Sequence, residues 1–256
     1  MLDRLPALIG ILPPFLMLWY AERFERRVKE PHRDWRYRVL AAAGLACIPI
    51  AWAERFVGVV IADAVEPQRS LFEAFIVAAS IEETGKVLCL YLLTRVTLGP
   101  GTRYGAFLYA LHAATGFAIV ENVLIMLDSP NLRVFTVRFV LRAYMASPMH
   151  LFAGGVVGYL WARRRFDTGA VGLSGGLACA IAIHGSYNAL LYGVERLPEG
   201  MPGTVIACAL TAMAVPLLGI VVLRAMAGRL RSDDERDGRS RGRASWRANP
   251  ETSHAE

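Results

Sequence analysis

Apolar residues run through this chain in long unbroken stretches rather than at alternating or one-sided spacing. A hydrocarbon core of about 30 Å needs roughly 20 apolar residues per crossing helix. Seven segments answer to that: Leu5 to Tyr20, Val39 to Ile61, Leu71 to Thr94, Tyr104 to Leu127, Phe139 to Ala162, Val171 to Tyr192, and Gly203 to Ala225. They predict an all-α fold, a polytopic membrane bundle of about seven transmembrane helices. The stretch from Leu132 to Ser147 interrupts the pattern with Arg133, Arg138 and Arg142. It reads as an interfacial helix leading into the fifth span, with Pro148 marking a kink. The first run reads as a retained helix, because Asp3 and Arg4 cancel ahead of it and Pro13-Pro14 breaks it. No repeat or second domain is visible, so residues 1–227 are expected to form one transmembrane domain and 228–256 a disordered cytoplasmic tail.

Composition agrees with this pattern. The 256 residues are 55% hydrophobic with a mean hydropathy of +0.38, more apolar than a soluble domain of that length. The net charge of +6 sits in short blocks between the apolar runs, which reads as loops at a membrane and not as a nucleic-acid surface. Counting loops alternately, one side receives Arg23 to Arg38, then Arg95 and Arg103, then Arg163-Arg164-Arg165, then the tail. The other side receives Arg4, Arg69, Arg196 and Arg133. That asymmetry puts the amino terminus outside and the carboxyl terminus in the cytoplasm. Cys47, Cys89, Cys179 and Cys208 each lie inside an apolar run without CxxC spacing, so no disulfide framework or zinc knuckle is indicated.

Ionisable groups inside a span cost a few kcal/mol each and mark function by default. The third span reads Ser80-Ile-Glu-Glu-Thr-Gly-Lys86. Adjacent carboxylates in a low dielectric titrate as a unit. Lys86, four residues after Glu82, can keep one of them ionised, and such a pair suits acid–base work on a water. The fourth span carries Phe117, Glu121 and Asn122, the fifth begins Pro148-Met-His150, and the sixth holds His184 and Asn188 on one face. His112, half a turn out of phase with Glu121, reads as a helix-packing histidine. At 1.5 Å per residue, Glu82 and Glu83 fall near the midplane, and Glu121, His150, His184 and Asn188 fall in the outer half. Four helices thus bring polar groups to a common level, which implies one water-accessible cavity opening outward.

Gly172-Leu-Ser-Gly-Gly176 matches a GxSxG pattern, but Ser174 and His184 lie roughly 15 Å apart along one helix. No Ser–His pair can form there, and the small residues, with Gly154 and Gly158, read as close-packing positions. HExxH is absent, which disfavours a zincin.

At these residues the chain resembles the PrsW family of bacterial intramembrane proteases, distant relatives of the CAAX prenyl endopeptidases. The matching elements are EExxK at Glu82, Glu83 and Lys86, FxxxE at Phe117 and Glu121, the histidine His150, and HxxxN at His184 and Asn188, in order over roughly Leu71 to Tyr192. The resemblance implies a catalytic core in that region and peptide-bond hydrolysis in a membrane-anchored protein, typically an initiating cut in an anti-sigma factor, in a bacterial cell membrane. It leaves two mechanisms open. In one, no cofactor is needed: Glu82 or Glu83 with a histidine deprotonates water, His184 and Asn188 donate to the oxyanion, and Glu121 orients a histidine or the water. In the other, Glu121, His150, His184 and one of the paired glutamates hold a divalent metal such as zinc. A proton-coupled transporter with a Glu/His relay is the reading from a different class. The expected partners are membrane lipid and a membrane-anchored protein, with no nucleic acid.

Overall fold

A computed structural model describes residues 2–24, 34–61, 63–97, 99–167, 171–196 and 201–248, excepting the side chains of residues 2–5 and 239–248. The long apolar runs become helices, and the described residues contain no strand. In chain order they are α1 (residues 2–22), α2 (Trp35–Val60), α3 (residues 68–95), α4 (Arg103–Leu127), α5 (residues 132–166), α6 (Gly172–Arg196) and α7 (Pro202–Ala248). Three of these are composite. α1 opens as a 3-10 helix over Leu2–Ile11. α3 contains a π-helical stretch over Glu73–Ser80 and α5 another over Arg142–Ala146. The kink expected at Pro148 takes the form of a widened turn just before it, where Pro148 follows helix and has no N–H to donate back into the preceding turn.

Among the described residues, four helices are long and apolar enough to cross a membrane by themselves: α2, α4, α6 and the stretch Pro202–Gly238 of α7. α3 and α5 fall outside that group because π-turns divide them and because they carry the charged groups described below. The protein is an all-α, multi-spanning membrane protein. Its exposed surface is rich in Leu45, Trp52, Phe56, Leu217 and Val221, as lipid-facing helices require.

α4 is the hub. Seventeen of its residues are buried, and it packs against α2 on one side and α5 on the other. α5 packs on α6, α6 on α3, and α3 on α2, closing a ring of helices. Small residues permit the closeness. A Cβ at Gly158 would lie 2.8 Å from Phe107 Cα, and one at Gly116 would lie 2.0 Å from Leu40 O, so α5 and α2 touch α4 backbone to backbone. The packing expected at Gly154 is of the same kind, with Ala114 Cβ at 2.6 Å.

Both ends of α4 are tied. Thr102 caps its start by accepting from the Gly105 N–H at 2.9 Å. Asp234 of α7 accepts from the N–H groups of Arg103 (3.0 Å) and Tyr104 (2.9 Å). At the far end Arg138 of α5 donates to the carbonyls of Ile125 (3.2 Å) and Asp128 (3.0 Å), satisfying orphan acceptors of the last turn. α7 runs on as helix to Ala248, across the stretch for which the sequence suggests a disordered tail. His112 sits fully buried away from the ring, with Nδ1 2.7 Å from the Leu108 carbonyl and Nε2 3.1 Å from Glu22 Oε1.

Candidate active site

Each helix of the ring contributes a polar side chain to its interior. α3 supplies three. Lys86 follows Glu82 by four residues and Glu83 by three, so one ammonium reaches both. Its Nζ donates to Glu83 Oε1 at 2.7 Å and to Glu82 Oε2 at 3.2 Å. The π-stretch ends one residue before this run, and Ser80 Oγ donates to the Phe75 carbonyl at 2.7 Å within it.

From α5, His150 places Nδ1 3.0 Å from Lys86 Nζ and Nε2 2.7 Å from Glu121 Oε2 of α4. From α6, His184 places Nδ1 2.8 Å from Glu83 Oε1 and Nε2 4.0 Å from Glu82 Oε1. The two imidazoles meet edge to face at 5.1 Å. Phe117 offers its ring to Lys86, 4.2 Å from Nζ, a cation–π contact in a desolvated setting. Glu82, Glu83, Lys86, His150 and His184 are all buried, Glu83 and His150 to 1% exposure.

The donors fix the tautomers. An ammonium has no acceptor, so His150 Nδ1 accepts from Lys86 and its ring proton sits on Nε2, donated to Glu121. Glu83 Oε1 is an acceptor for Lys86, so His184 donates to it from Nδ1. His184 Nε2 then faces Glu82 across 4.0 Å, and Glu82, with Phe117 and Glu121, lines a cavity. This cavity, about 590 Å³, lies between α2 and α4 and runs from Glu82 past Glu121 to the exposed Asp128.

The sequence therefore anticipates most of this constellation, and the structure brings Glu82, Glu83, Lys86, Phe117, Glu121, His150 and His184 together. Asn122 stands behind it: Nδ2 donates to the Gly10 carbonyl (2.9 Å) and to Ser147 Oγ (3.1 Å), tying α1 and α5 to α4. Asn188 is half-buried and makes no hydrogen bond to the cluster. Its neighbour Tyr187 is the buried one, against Met145 and Met149. Ser174 is exposed, on the flank of α6 away from the histidines.

Two residues escape the sequence reading. Arg142, assigned there to an interfacial stretch, donates from Nη2 to Glu121 Oε2 at 2.5 Å and from Nε to Asn122 Oδ1. It is Arg138's successor by one turn, so the α5 face that caps α4 also holds its glutamate. Glu54 of α2 lines the same cavity, and its Oε1 is buried without a hydrogen-bond partner. The signal was available, since Glu54 is an acid within the second apolar run.

Glu82, Glu83, His150 and His184 each offer a ligand atom, and these four atoms lie within 4.8 Å of one another. Glu121 stands outside this group, bonded to the far nitrogen of His150.

Compared with known proteins, residues 31–228 match the family described as PrsW family intramembrane metalloprotease. Neither the curated proteins nor the solved structures contain a match. The matched segment covers most of the chain and contains every residue of the cluster, so the chain belongs to the PrsW family. It is an intramembrane peptidase with a buried Glu/His site, acting on membrane-anchored protein.

Proposed function

We propose that this PrsW-family protein makes the initiating cut in a membrane-anchored anti-sigma factor of a bacterial cell, on the extracytoplasmic side of the membrane. In this reading all seven helices span, the amino terminus lies outside, and residues 1–227 form the protease domain. The basic loops support the orientation. The observation that carries the site is the approach of His184 Nε2 to Glu82, which lines a cavity that runs to the end of α4 bearing Asp128.

Glu82 is the general base in this proposal, because it faces the cavity while Glu83 is locked between Lys86 and His184. A water between Glu82 and His184 Nε2 gives up its proton to this pair and attacks the scissile carbonyl. The protonated pair then passes a proton to the leaving amine. Glu83 holds His184 in the working tautomer, and Glu121 does the same for His150. Lys86 balances the carboxylates. Asn188, on the His184 face and one turn on, is the proposed second donor to the oxyanion, reached by substrate in the cleft.

The family description implies a metal, and the donor set fits one: two imidazoles and two carboxylates within 4.8 Å are ligands that zinc takes. Glu82, Glu83, His150 and His184 would hold it, in competition with Lys86, which touches three of them. A bound divalent ion supplies Lewis acidity towards water and the peptide carbonyl.

The test compares purified wild type with Glu82→Gln and His184→Ala on a quenched transmembrane peptide library, with and without chelator. Both variants should lose about 10²–10⁴-fold in kcat per folded molecule, with the folded fraction of each measured separately. Undiminished turnover in the folded variants would remove the site. Cleavage mapped to the cytoplasmic side of a reconstituted substrate would overturn the orientation.

A further inference from the structure

A second recess lies on the opposite flank of the bundle from the catalytic cavity. α1 and α7 both pack against α4, and between them runs a groove of about 410 Å³. Leu111 and Leu151 form its floor, and Leu16 and Leu223 its walls. One end is different. Arg224 and Arg231 line it from α7, seven residues apart and so on one face two turns from each other. Tyr20, Phe24 and Tyr104 supply aromatic faces there: Arg231 Cζ lies 4.5 Å from the Phe24 ring and 5.5 Å from Tyr104, and Arg224 Cζ 5.9 Å from Tyr20.

What sets these two arginines apart is the company they lack. Arg103 pairs with Asp167, Asp234 and Asp237, Arg163 with Asp167 and Asp233, and Arg236 with Asp233. The aspartates of α7 at 233, 234 and 237 are thus engaged by Arg103 of α4, Arg163 of α5 and Arg236. Among the described residues, neither Arg224 nor Arg231 has a carboxylate partner, and the Arg231 side chain donates only to the Ala227 carbonyl, at 3.3 Å. Two guanidiniums at one end of an apolar groove open to the bilayer call for a ligand that is anionic at one end and hydrocarbon over the rest.

We infer that this groove binds an anionic phospholipid, its phosphate between Arg224 and Arg231 and one acyl chain between α1 and α7. The apolar walls exclude a free anion or an acidic peptide as the matching occupant, because neither would cover them. A zwitterionic headgroup carries its own cation against the phosphate, whereas each basic side chain near an anionic headgroup favours it by roughly fivefold. The bound lipid acts as a filler that joins α1 to α7.

The test uses the full chain in detergent, with dioleoyl phosphatidylglycerol, dioleoyl phosphatidylcholine and glycerol phosphate as separate additions. Native mass spectrometry should retain one phosphatidylglycerol in preference to phosphatidylcholine by about tenfold or more, and only phosphatidylglycerol should raise the melting temperature. Arg224→Gln with Arg231→Gln should abolish that preference, while Arg236→Gln, an exposed and paired arginine, should keep it. Leu16→Trp fills the groove without changing charge and should also lose the retained lipid, which covers the case of a double variant that fails to fold. Equal retention of both lipids would overturn the inference, as would a preference that survives the double substitution. A full effect from glycerol phosphate alone would replace the lipid by a free anion and overturn it too.

Discussion

Both ends of the α4 hub hold a knot of ionisable side chains, and the knots are built for different work. At the start of α4, Arg103 and Arg163 meet Asp167, Asp233, Asp234 and Asp237. These are arginine–aspartate pairs, several of them partly exposed, with no histidine, and they hold the loop after α5 and the extension of α7 against α4. Towards its other end, Glu82, Glu83 and Glu121 meet Lys86 and Arg142 through two histidines, almost entirely buried, beside a cavity. The first arrangement saturates its charges with one another. The second leaves one imidazole nitrogen facing a cavity-lining carboxylate across 4.0 Å with no direct hydrogen bond between them. A charge cluster becomes a candidate active site through that incompleteness, more than through the number of its charges.

The comparison can be broken most sharply at Lys86. Removing one partner of a buried ionic group leaves an uncompensated charge, so Lys86→Met should destabilise the fold by about 3–5 kcal/mol, read from denaturation in mixed micelles. Arg142→Ala comes next. It acts through Glu121 on His150 and touches no reacting atom, so kcat should fall about 10- to 100-fold with KM little changed, and Arg142→Lys should restore part of it. A change confined to KM would show that Arg142 meets substrate instead. Asp234→Ala removes the acceptor for two N–H groups at the start of α4 and should cost about 1–2 kcal/mol in stability with activity preserved per folded molecule. Last and smallest is Asp167→Asn, at about 1 kcal/mol or less.

Asp167 also gives a pH test. The Arg103 guanidinium holds its carboxyl below the usual aspartate range. A lowered value means that the stabilisation is full above the ordinary pKa of about 3.9 and is lost as the pH falls through the folded value. Below about pH 4 wild type should therefore lose melting temperature faster than Asp167→Asn, which has given up that contribution already.

Much of this was legible in the sequence, for reasons that also explain the remainder. Helices announce themselves where apolar runs are long, and Glu82, Glu83 and Lys86 stand out because charge inside such a run has no other excuse. Arg142 was lost because it lies near a span's start, where a charge reads as interface and only tertiary packing turns it inward; Glu54, an acid within the second apolar run, carried a signal but no matching partner in sequence. Asn188 shares a helical face with His184, yet spacing cannot say how deep in the ring that face lies, and the asparagine remains half-buried. The helix beyond residue 227 is polar, with little hydrophobic reason to form. Its support comes from pairing to α4 and α5, over one hundred residues away along the chain for Asp234.

The two π-turns have a consequence for how this chain tolerates change in length. Each is equivalent to one extra residue wound into a helix, and each precedes a site group: Glu73–Ser80 before Glu82, and Arg142–Ala146 before His150. Deleting a single residue inside either turn would let ordinary winding return with the two halves of the helix kept nearly in phase, whereas adding one residue there would rotate one half against the other by roughly 100°. The aim of the carboxylates and of the imidazole is thus a matter of phase, set upstream by residues that never touch them: a one-residue deletion in the turn is absorbed, and a one-residue insertion there would silence the site while leaving its sequence intact.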